Sequence, residues 1–446
     1  MLTNILGWIM RVHILGICGT FMGSLAVLAA KAGMQVSGQD SKVYPPMSTQ
    51  LIANNIAITD GYAADDLPAD VDVYVIGNVM RRGMPIIEHI LNNNLLYMSG
   101  PQFLAKYILQ NQHVLAVTGT HGKTTTTSIL TWILHYAGLN PGYLIGGVPN
   151  NFGISAALGA GKYFVIEGDE YDCAFFDKRS KFMHYQPKTL IINNIEFDHA
   201  DIFKDLEAIL TQFHNLLRTI PGVGMVVYNQ DDEHVKHLLN MGCWSQRDGF
   251  GVQNAVIDLP ANLLGEHNRL NAWAAILAAK NVGVPLAVSL AALQEFTGVK
   301  RRLELKGQVA QISVYSDFAH HPTAINATLA AVRDGIAGNR RIIAVVDIGS
   351  NTMRAGVHKD SLATAVQVAD IVYFFHPHDI VWDVQNTWAA SNKPGGAFSS
   401  QTDLLAAMLK DLHVDDLLLL MSNGSFEGFA QVLLQALPVT TAQLAT

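Results

Sequence analysis

Apolar runs alternate with glycine-rich or polar breaks along the 446-residue chain. Their lengths set the first expectations. Residues 11–17 form an apolar run of strand length, and a glycine turn follows at 16–23. A helix-length stretch at 25–32 and a second strand at 34–40 complete a strand–turn–helix–strand opening. A further strand is expected at 71–76 and a helix at 101–110 leading out of the first domain. The same order then restarts, with a strand at 113–117, a loop at 118–123, a helix at 124–137 and strands at 163–166 and 189–192. Beyond residue 297, strands at 312–315, 341–346, 371–375 and 416–421 alternate with helices at 323–332 and 426–437, Pro322 supplying the first helical position. The pattern predicts an α/β protein. Three domains are expected, over residues 1–110, 111–297 and 298–446, without internal repeats or low-complexity tracts.

Composition narrows the class. Half the residues are apolar and 15% are charged, so the chain can bury large cores and is not of the disordered type. Lys plus Arg number 29 against 37 Asp plus Glu, a net charge of −8. That balance argues against a nucleic-acid-coating protein, and any anion site must be local. Three scattered cysteines, Cys18, Cys173 and Cys243, offer neither a disulfide framework nor a paired metal motif, which points to a reducing cytoplasm. The uncharged stretch 12–30 has the hydropathy of a short membrane segment, but Gly16, Gly19 and Gly23 interrupt it where a strand-to-helix turn belongs. No membrane insertion is expected.

The turn Gly16-Ile17-Cys18-Gly19-Thr20-Phe21-Met22-Gly23 precedes a helix, where bare amides can bind phosphate. A nicotinamide-dinucleotide fingerprint would need glycines at the positions of Cys18 and Phe21, which weakens that reading. A nucleotide diphosphate site and a purely structural turn both stay open. Asp40, at the end of the second strand, stands at the spacing of a ribose-binding acid. More specific is Thr118-Gly119-Thr120-His121-Gly122-Lys123-Thr124-Thr125 between a strand and a helix, a variant phosphate-binding loop with Val117 where the strict pattern has glycine. Its amides suit the β-phosphate of ATP, Lys123 the β- and γ-oxygens and the Thr124 hydroxyl a Mg²⁺ ion. Two acidic clusters follow at strand ends, Glu167-Gly168-Asp169-Glu170-Tyr171-Asp172 and Asn194-Ile195-Glu196-Phe197-Asp198-His199-Ala200-Asp201. Their hard oxygen ligands suit Mg²⁺, with Glu167 the first acid off its strand. Asn268 and Asn271 share a helix face and serve equally as capping or ligand groups. The basic triple Lys300-Arg301-Arg302 is as readily a solvated face as a phosphate contact.

Taken in order, the glycine turn ending Phe21-Met22-Gly23, TGTHGKTT at 118–125, EGDEYD at 167–172, NIEFDHAD at 194–201, GEHNRLNAWAA at 265–275, GVKRRLE at 298–304 and DFAHHPT at 317–323 resemble the Mur ligases. The resemblance runs from about Arg11 to the C-terminus. It implies a Rossmann-like N-terminal domain for a UDP-sugar, a central P-loop ATPase and a Rossmann-like C-terminal domain bringing the amine. It also implies ATP-dependent amide bond formation with Mg²⁺, and assigns Gly119, Thr120, His121, Gly122, Lys123, Thr124, Thr125, Asn268, Asn271, Arg302 and Asp317 to ATP. Thr124, Glu167 and His199 are assigned to metal, with Lys123, Glu167 and His199 catalytic. Gly16, Cys18, Gly19, Thr20, Phe21, Met22 and Asp40 are assigned to the UDP-sugar. Within the family, segments 43–49, 171–181 and 350–353 resemble members that join UDP-N-acetylmuramate to the murein tripeptide L-alanyl-γ-D-glutamyl-meso-diaminopimelate.

Ser350, Asn351 and Arg354 follow the strand at 341–346 and have the types needed to read peptide carboxylates, although such loops are commonly polar for solvation alone. The sequence departs from the family pattern at Gly168, in a short 245–261 segment, in residues 1–9 ahead of the usual start, and at Asp347-Ile348-Gly349, where Glu-Pro-Arg is more usual. The last change makes Arg354 or another cation the expected substitute. Free L-alanine as the amine substrate is the alternative within the family. A P-loop switch ATPase would leave the first glycine turn unexplained, and a nicotinamide oxidoreductase would leave the P-loop unused.

Overall fold

The computed structural model describes residues 9–43, 47–424 and 426–444, the side chains of 427 and 438–444 excepted. The expectations placed on residues 1–8 and 44–46 lie outside the described residues. Contacts divide the chain into two compact units: one takes the described residues up to Glu196 with Leu206–Ala255 and Asn271–Phe296, the other Phe197–Asp205, Val256–Leu270 and the described residues from Thr297 onward.

The described residues of the first unit form two large sheets and a two-stranded one. In the first, β1 (Arg11–Leu15), β2 (Gln35–Asp40), β3 (Ala57–Asp60), β4 (Val73–Ile76) and β5 (Tyr97–Ser99) are all parallel in the order β3-β2-β1-β4-β5. The central β1 and β4 are apolar because neither face meets water: Ile14, Leu15, Val73 and Val75 are buried. The first helix begins at Thr20, earlier than the expected 25, because Gly19 is already its extended N-cap (φ −67°, ψ 147°). The turn is therefore only Gly16–Gly19, and Phe21 and Met22 belong to the first helical turn.

The second sheet uses β6 (His113–Thr118), β7 (Gly142–Leu144), β8 (Ala156–Ala157), β9 (Tyr163–Glu167), β12 (Thr189–Ile192), β13 (Met225–Asn229) and β14 (Gln246–Phe250), in the order β14-β13-β12-β6-β9-β7-β8. All neighbours are parallel except β7 and β8. Between β9 and β12 the chain makes a hairpin, β10 (Asp172–Ala174) and β11 (Asp177–Ser180). Its tip docks on the first sheet: Ala174 and Phe175 join the cluster of Leu15, Tyr74, Ile76 and Ile86, and Phe176 meets Tyr97 edge-on at 4.9 Å. The sequence pattern did not predict this hairpin, whose strands of three and four residues are too short for an alternation to register.

The second unit holds a six-stranded sheet of β15 (Glu304–Val309), β16 (Ile312–Asp317), β17 (Ile342–Asp347), β18 (Ile371–Phe375), β19 (Gly395–Phe398) and β20 (Leu417–Met421). Its order is β15-β16-β20-β17-β18-β19, with only β15 and β16 antiparallel. Ile342–Val346 and Leu417–Leu419 are buried on both faces, as parallel strands covered by helices on each side require. Pro322 opens the helix Pro322–Val332 as expected. Among the described residues no helix is long and apolar enough to cross a membrane.

Candidate active site

The P-loop is assembled from below by β6 and from the side by the end of β12. Gly119 (φ +129°) and Gly122 (φ +78°) hold left-handed backbone that side chains resist. Space is equally restrictive: a Cβ on Gly122 would stand 2.3 Å from Asn271 Oδ1, and one on Gly119 3.0 Å from Asn194 N. Two asparagines after β12 fix the loop. The amide of Thr120 donates to Asn194 O (3.1 Å), that of His121 to Asn194 Oδ1 (2.7 Å), and Asn193 Nδ2 to Thr126 Oγ1 (3.0 Å). The Thr120 hydroxyl accepts from Glu196 N at 2.8 Å. Neither asparagine was singled out from sequence, although a polar pair at the carboxyl end of the strand beside the P-loop was the available signal.

Lys123 opens the helix Lys123–Tyr136 and turns back over its own loop. Its Nζ donates to Gly119 O (2.7 Å), Thr120 O (3.3 Å) and both oxygens of Glu170 (3.1 and 2.9 Å). Burial opposes the charge, but Glu170 and Asp169 more than offset it, so the ammonium is held above its usual pKa. Glu170 is itself buried. It was visible in the acidic cluster but unassigned, since only the fold shows which of the acids meets the lysine. Thr124 Oγ1 donates to Glu167 Oε1 at 3.0 Å, and Gly146 N donates to Glu167 Oε2 at 2.7 Å. Lys123, Thr124 and Glu167 are thus brought together, with Thr125 buried in the same helical turn. The Thr124 hydroxyl and Glu167 carboxylate are hard, adjacent oxygen donors, a set that fits Mg²⁺.

The other glycine turn is braced rather than charged. Asp40 accepts from Cys18 N (2.8 Å), Lys42 N (3.1 Å) and the Tyr62 hydroxyl (3.1 Å). Burial and the Asp40 charge push the Cys18 thiol up to about 11. Gly16, Cys18, Gly19, Thr20, Phe21, Met22 and Asp40 all line one cavity of about 940 Å³, which continues to Gly146, Glu167, Asp169 and Lys181. Every residue assigned to the UDP-sugar therefore faces a chamber whose far wall carries the carboxylate bonded to Thr124.

The remaining candidates, apart from Asn271, lie in the second unit. His199 has φ +56° and its amide donates to Asp198 Oδ1 at 2.7 Å. Asn268 Nδ2 donates to Leu264 O at 2.7 Å, tying the helix Glu266–Asn281 to the segment before it. Asp317 accepts from Leu303 N (2.7 Å) and Ala319 N (2.8 Å), fixing the segment that carries Arg302, whose guanidinium lies 4.7 Å from the Phe318 ring centroid. The basic triple is not simply a solvated face, since Arg301 donates to the carbonyls of Ser422 and Gly424 (both 2.8 Å). Ser350 caps the helix Asn351–Arg354, Asn351 Nδ2 donates to Asp201 Oδ2 (2.9 Å), and Arg354 is ion-paired with Asp379.

Three large parallel or mixed sheets, a P-loop bonded to the strand-end carboxylate Glu167 and a second glycine turn on a chamber that reaches the same carboxylate define a nucleotide-dependent α/β enzyme class. The chain belongs to the Mur ligase family: its "catalytic domain" matches residues 11–112, the "Mur ligase middle domain" residues 117–245 and the "glutamate ligase domain" residues 301–424. It is 49% identical to the UDP-N-acetylmuramate–L-alanyl-gamma-D-glutamyl-meso-2,6-diaminoheptandioate ligase of Escherichia coli (strain K12), over 96% of this chain and 98% of that protein. The Haemophilus influenzae protein of the same name is 47% identical, over 96% and 99%. Among solved structures, a murein peptide ligase from Psychrobacter arcticus matches with a TM-score of 0.74 at 42% identity, over 96% of this chain and 98% of that one.

Proposed function

We propose that this chain is the ATP-dependent ligase that joins UDP-N-acetylmuramate to the tripeptide L-alanyl-γ-D-glutamyl-meso-diaminopimelate, in the cytoplasm, as a step of murein recycling. The observation that carries the reading is near-full-length identity of 49% to a protein of that name, together with one chamber running from the glycine turn to Glu167. The three domains are read as residues 1–110 for the UDP-sugar, 111–297 for ATP and 298–446 for the peptide.

A carboxylate is a poor acyl donor, so the reaction needs two displacements. A donor carboxylate oxygen attacks the γ-phosphorus of ATP and ADP leaves. The peptide amine then attacks the acyl carbon, the bond to the phosphate oxygen breaks, and the nitrogen loses a proton. Lys123 neutralises the phosphate oxygens as two anions approach, while the P-loop amides orient the nucleotide. A Mg²⁺ ion, held by the Thr124 hydroxyl and the Glu167 carboxylate, would supply further neutralisation of phosphate charge. Roles for His199, Asn268, Asn271, Arg302 and Asp317 at ATP or metal, and for Ser350, Asn351 and Arg354 at the peptide, rest on the motif resemblance.

One observation keeps free L-alanine as a second reading. Gly349 stands where the family more usually has arginine, and the expected substitute, Arg354, is paired with Asp379. An end-point coupling assay with ATP and UDP-N-acetylmuramate decides between them. Product with the tripeptide and little with L-alanine is expected, and equal use of the two would overturn the recycling assignment.

A further inference from the structure

The chamber must receive a carboxylate at a wall that is itself acidic. Glu167 and Asp169 line it, and Glu170 lies next to them in sequence, committed to Lys123. An anionic donor arriving there meets like charge, and Lys123 alone is already engaged by a carboxylate. A second ammonium stands on the same wall. Lys181, just after the hairpin β10–β11, donates from Nζ to Asp169 Oδ2 at 2.6 Å. Its side chain is only 11% exposed, and Nζ lies 5.5 Å from the ring centroids of both Phe21 and Tyr171.

The other cations on the lining, Lys42 and Arg81, are exposed. Lys181 is therefore the sheltered one, and a charge shielded from water acts more strongly on a neighbouring anion. Its position is also directional. Phe21 belongs to the helix that follows the glycine turn, whereas Asp169 lies two residues beyond Glu167, so the ammonium stands where the two ends of the chamber meet. The turn amides account for a diphosphate. What they leave uncompensated is the donor's other anion, at the Glu167 end. An ammonium has three N–H donors, and among the described residues Lys181 Nζ gives one hydrogen bond, to Asp169.

We propose that Lys181 binds the carboxylate of the acyl donor, and that Asp169 and the two rings are positioning groups that aim it into the chamber. The hairpin then has a functional as well as a packing role: its tip fixes the second sheet to the first, and its end delivers the cation that reads the donor's acid. This inference rests on the sugar-nucleotide reading of the chamber.

The test compares two ligands by calorimetry, UDP-N-acetylmuramate and UDP-N-acetylglucosamine, which share nucleotide and hexosamine but differ in the lactyl carboxylate. The unmutated protein should prefer the first; if it binds neither, the reading of the chamber fails, whatever Lys181 does. Lys181→Met should weaken UDP-N-acetylmuramate by about 10- to 100-fold, the range for losing one charge-assisted contact, and leave UDP-N-acetylglucosamine within about twofold. Lys181→Arg, which keeps the charge, should retain most of the preference. Equal weakening of both ligands in Lys181→Met, or weakening of neither, would overturn the proposal, since a fastener between segments would not distinguish them. A lowered melting temperature leaves this readout intact, because it is a ratio within one variant.

Discussion

After β1, the turn Gly16–Gly19 carries no cation, and its order comes from Asp40, which takes the amide of Cys18 and the hydroxyl of Tyr62. After β6, the corresponding turn carries Lys123, two glycines in left-handed backbone and a wall of asparagines. Both are strand–turn–helix junctions at the carboxyl edge of a parallel sheet, the place where such sheets bind ligands. Their difference is chemical. On the proposed reading the first turn holds a diphosphate with amides and a brace alone, whereas the second brings phosphate against another anion and so carries an ammonium. Lys123 bears its cost: a buried ammonium requires a partner, and Glu170 provides one.

The comparison is most severely tested by Lys123→Ala. Lost stabilisation of the transferring phosphoryl group should cost on the order of 3 kcal/mol, at least a hundredfold in ligation rate. Binding of UDP-N-acetylmuramate should stay within a few-fold by calorimetry, and near-normal phosphate release would show that the second turn is not the phosphoryl site.

Gly122→Ala should come next. It forces a side chain into left-handed backbone, at a cost of about 1–2 kcal/mol, and places its Cβ against Asn271. Turnover should fall roughly tenfold or more, with a rise in the Michaelis constant for ATP. Unchanged ATP kinetics would mean that the loop tolerates what its geometry forbids.

Gly19→Ala is the milder counterpart in the first turn. Its backbone is ordinary, and a Cβ there meets only Gly16 O at 3.5 Å, so the melting temperature should not move. A methyl group facing the chamber should still weaken UDP-N-acetylmuramate by roughly threefold to tenfold, about 1 kcal/mol of lost close approach, and spare ATP. If ATP suffers instead, the two turns have been assigned the wrong way round.

The smallest effect is a titration. The Cys18 thiol, pushed up to about 11 by burial and by Asp40, should stay protonated through pH 9 and 10. Thiolate absorbance followed from pH 8 to 12 should therefore gain its Cys18 component only near pH 11, and Asp40→Asn should move that component down. A Cys18 step near the ordinary thiol value would remove Asp40 as the brace of the first turn.

Much of this was legible in the linear chain. Runs such as Ile342–Val346 are buried on both faces, and a fully buried strand has to be apolar throughout, so the α/β class and most strand positions followed from hydropathy. The P-loop was legible because glycine at positive φ and lysine beside phosphate are demands on residue type, which a sequence records directly. The start of the first helix at Thr20 was missed because an extended glycine N-cap leaves no side-chain signature.

What the sequence by itself determined was the kind of chemistry: two glycine turns, a lysine, strand-end acids and the family they resemble. Only the tertiary structure decided the pairings. It chose Glu170 as the carboxylate that meets Lys123, joined Thr124 to Glu167, bound the P-loop to Asn193 and Asn194 across some 70 residues (Asn193–Thr126 are 67 apart), and set Asp40 against the amide of Cys18, bracing its loop at the rim of the chamber. It also carried the hairpin onto the first sheet and so placed Lys181 in the chamber. The physical reason is common to all of these. Residue type is set by what a position must do locally, but which charges become neighbours depends on how parallel strands far apart in the chain are brought side by side, and hydropathy carries no record of that.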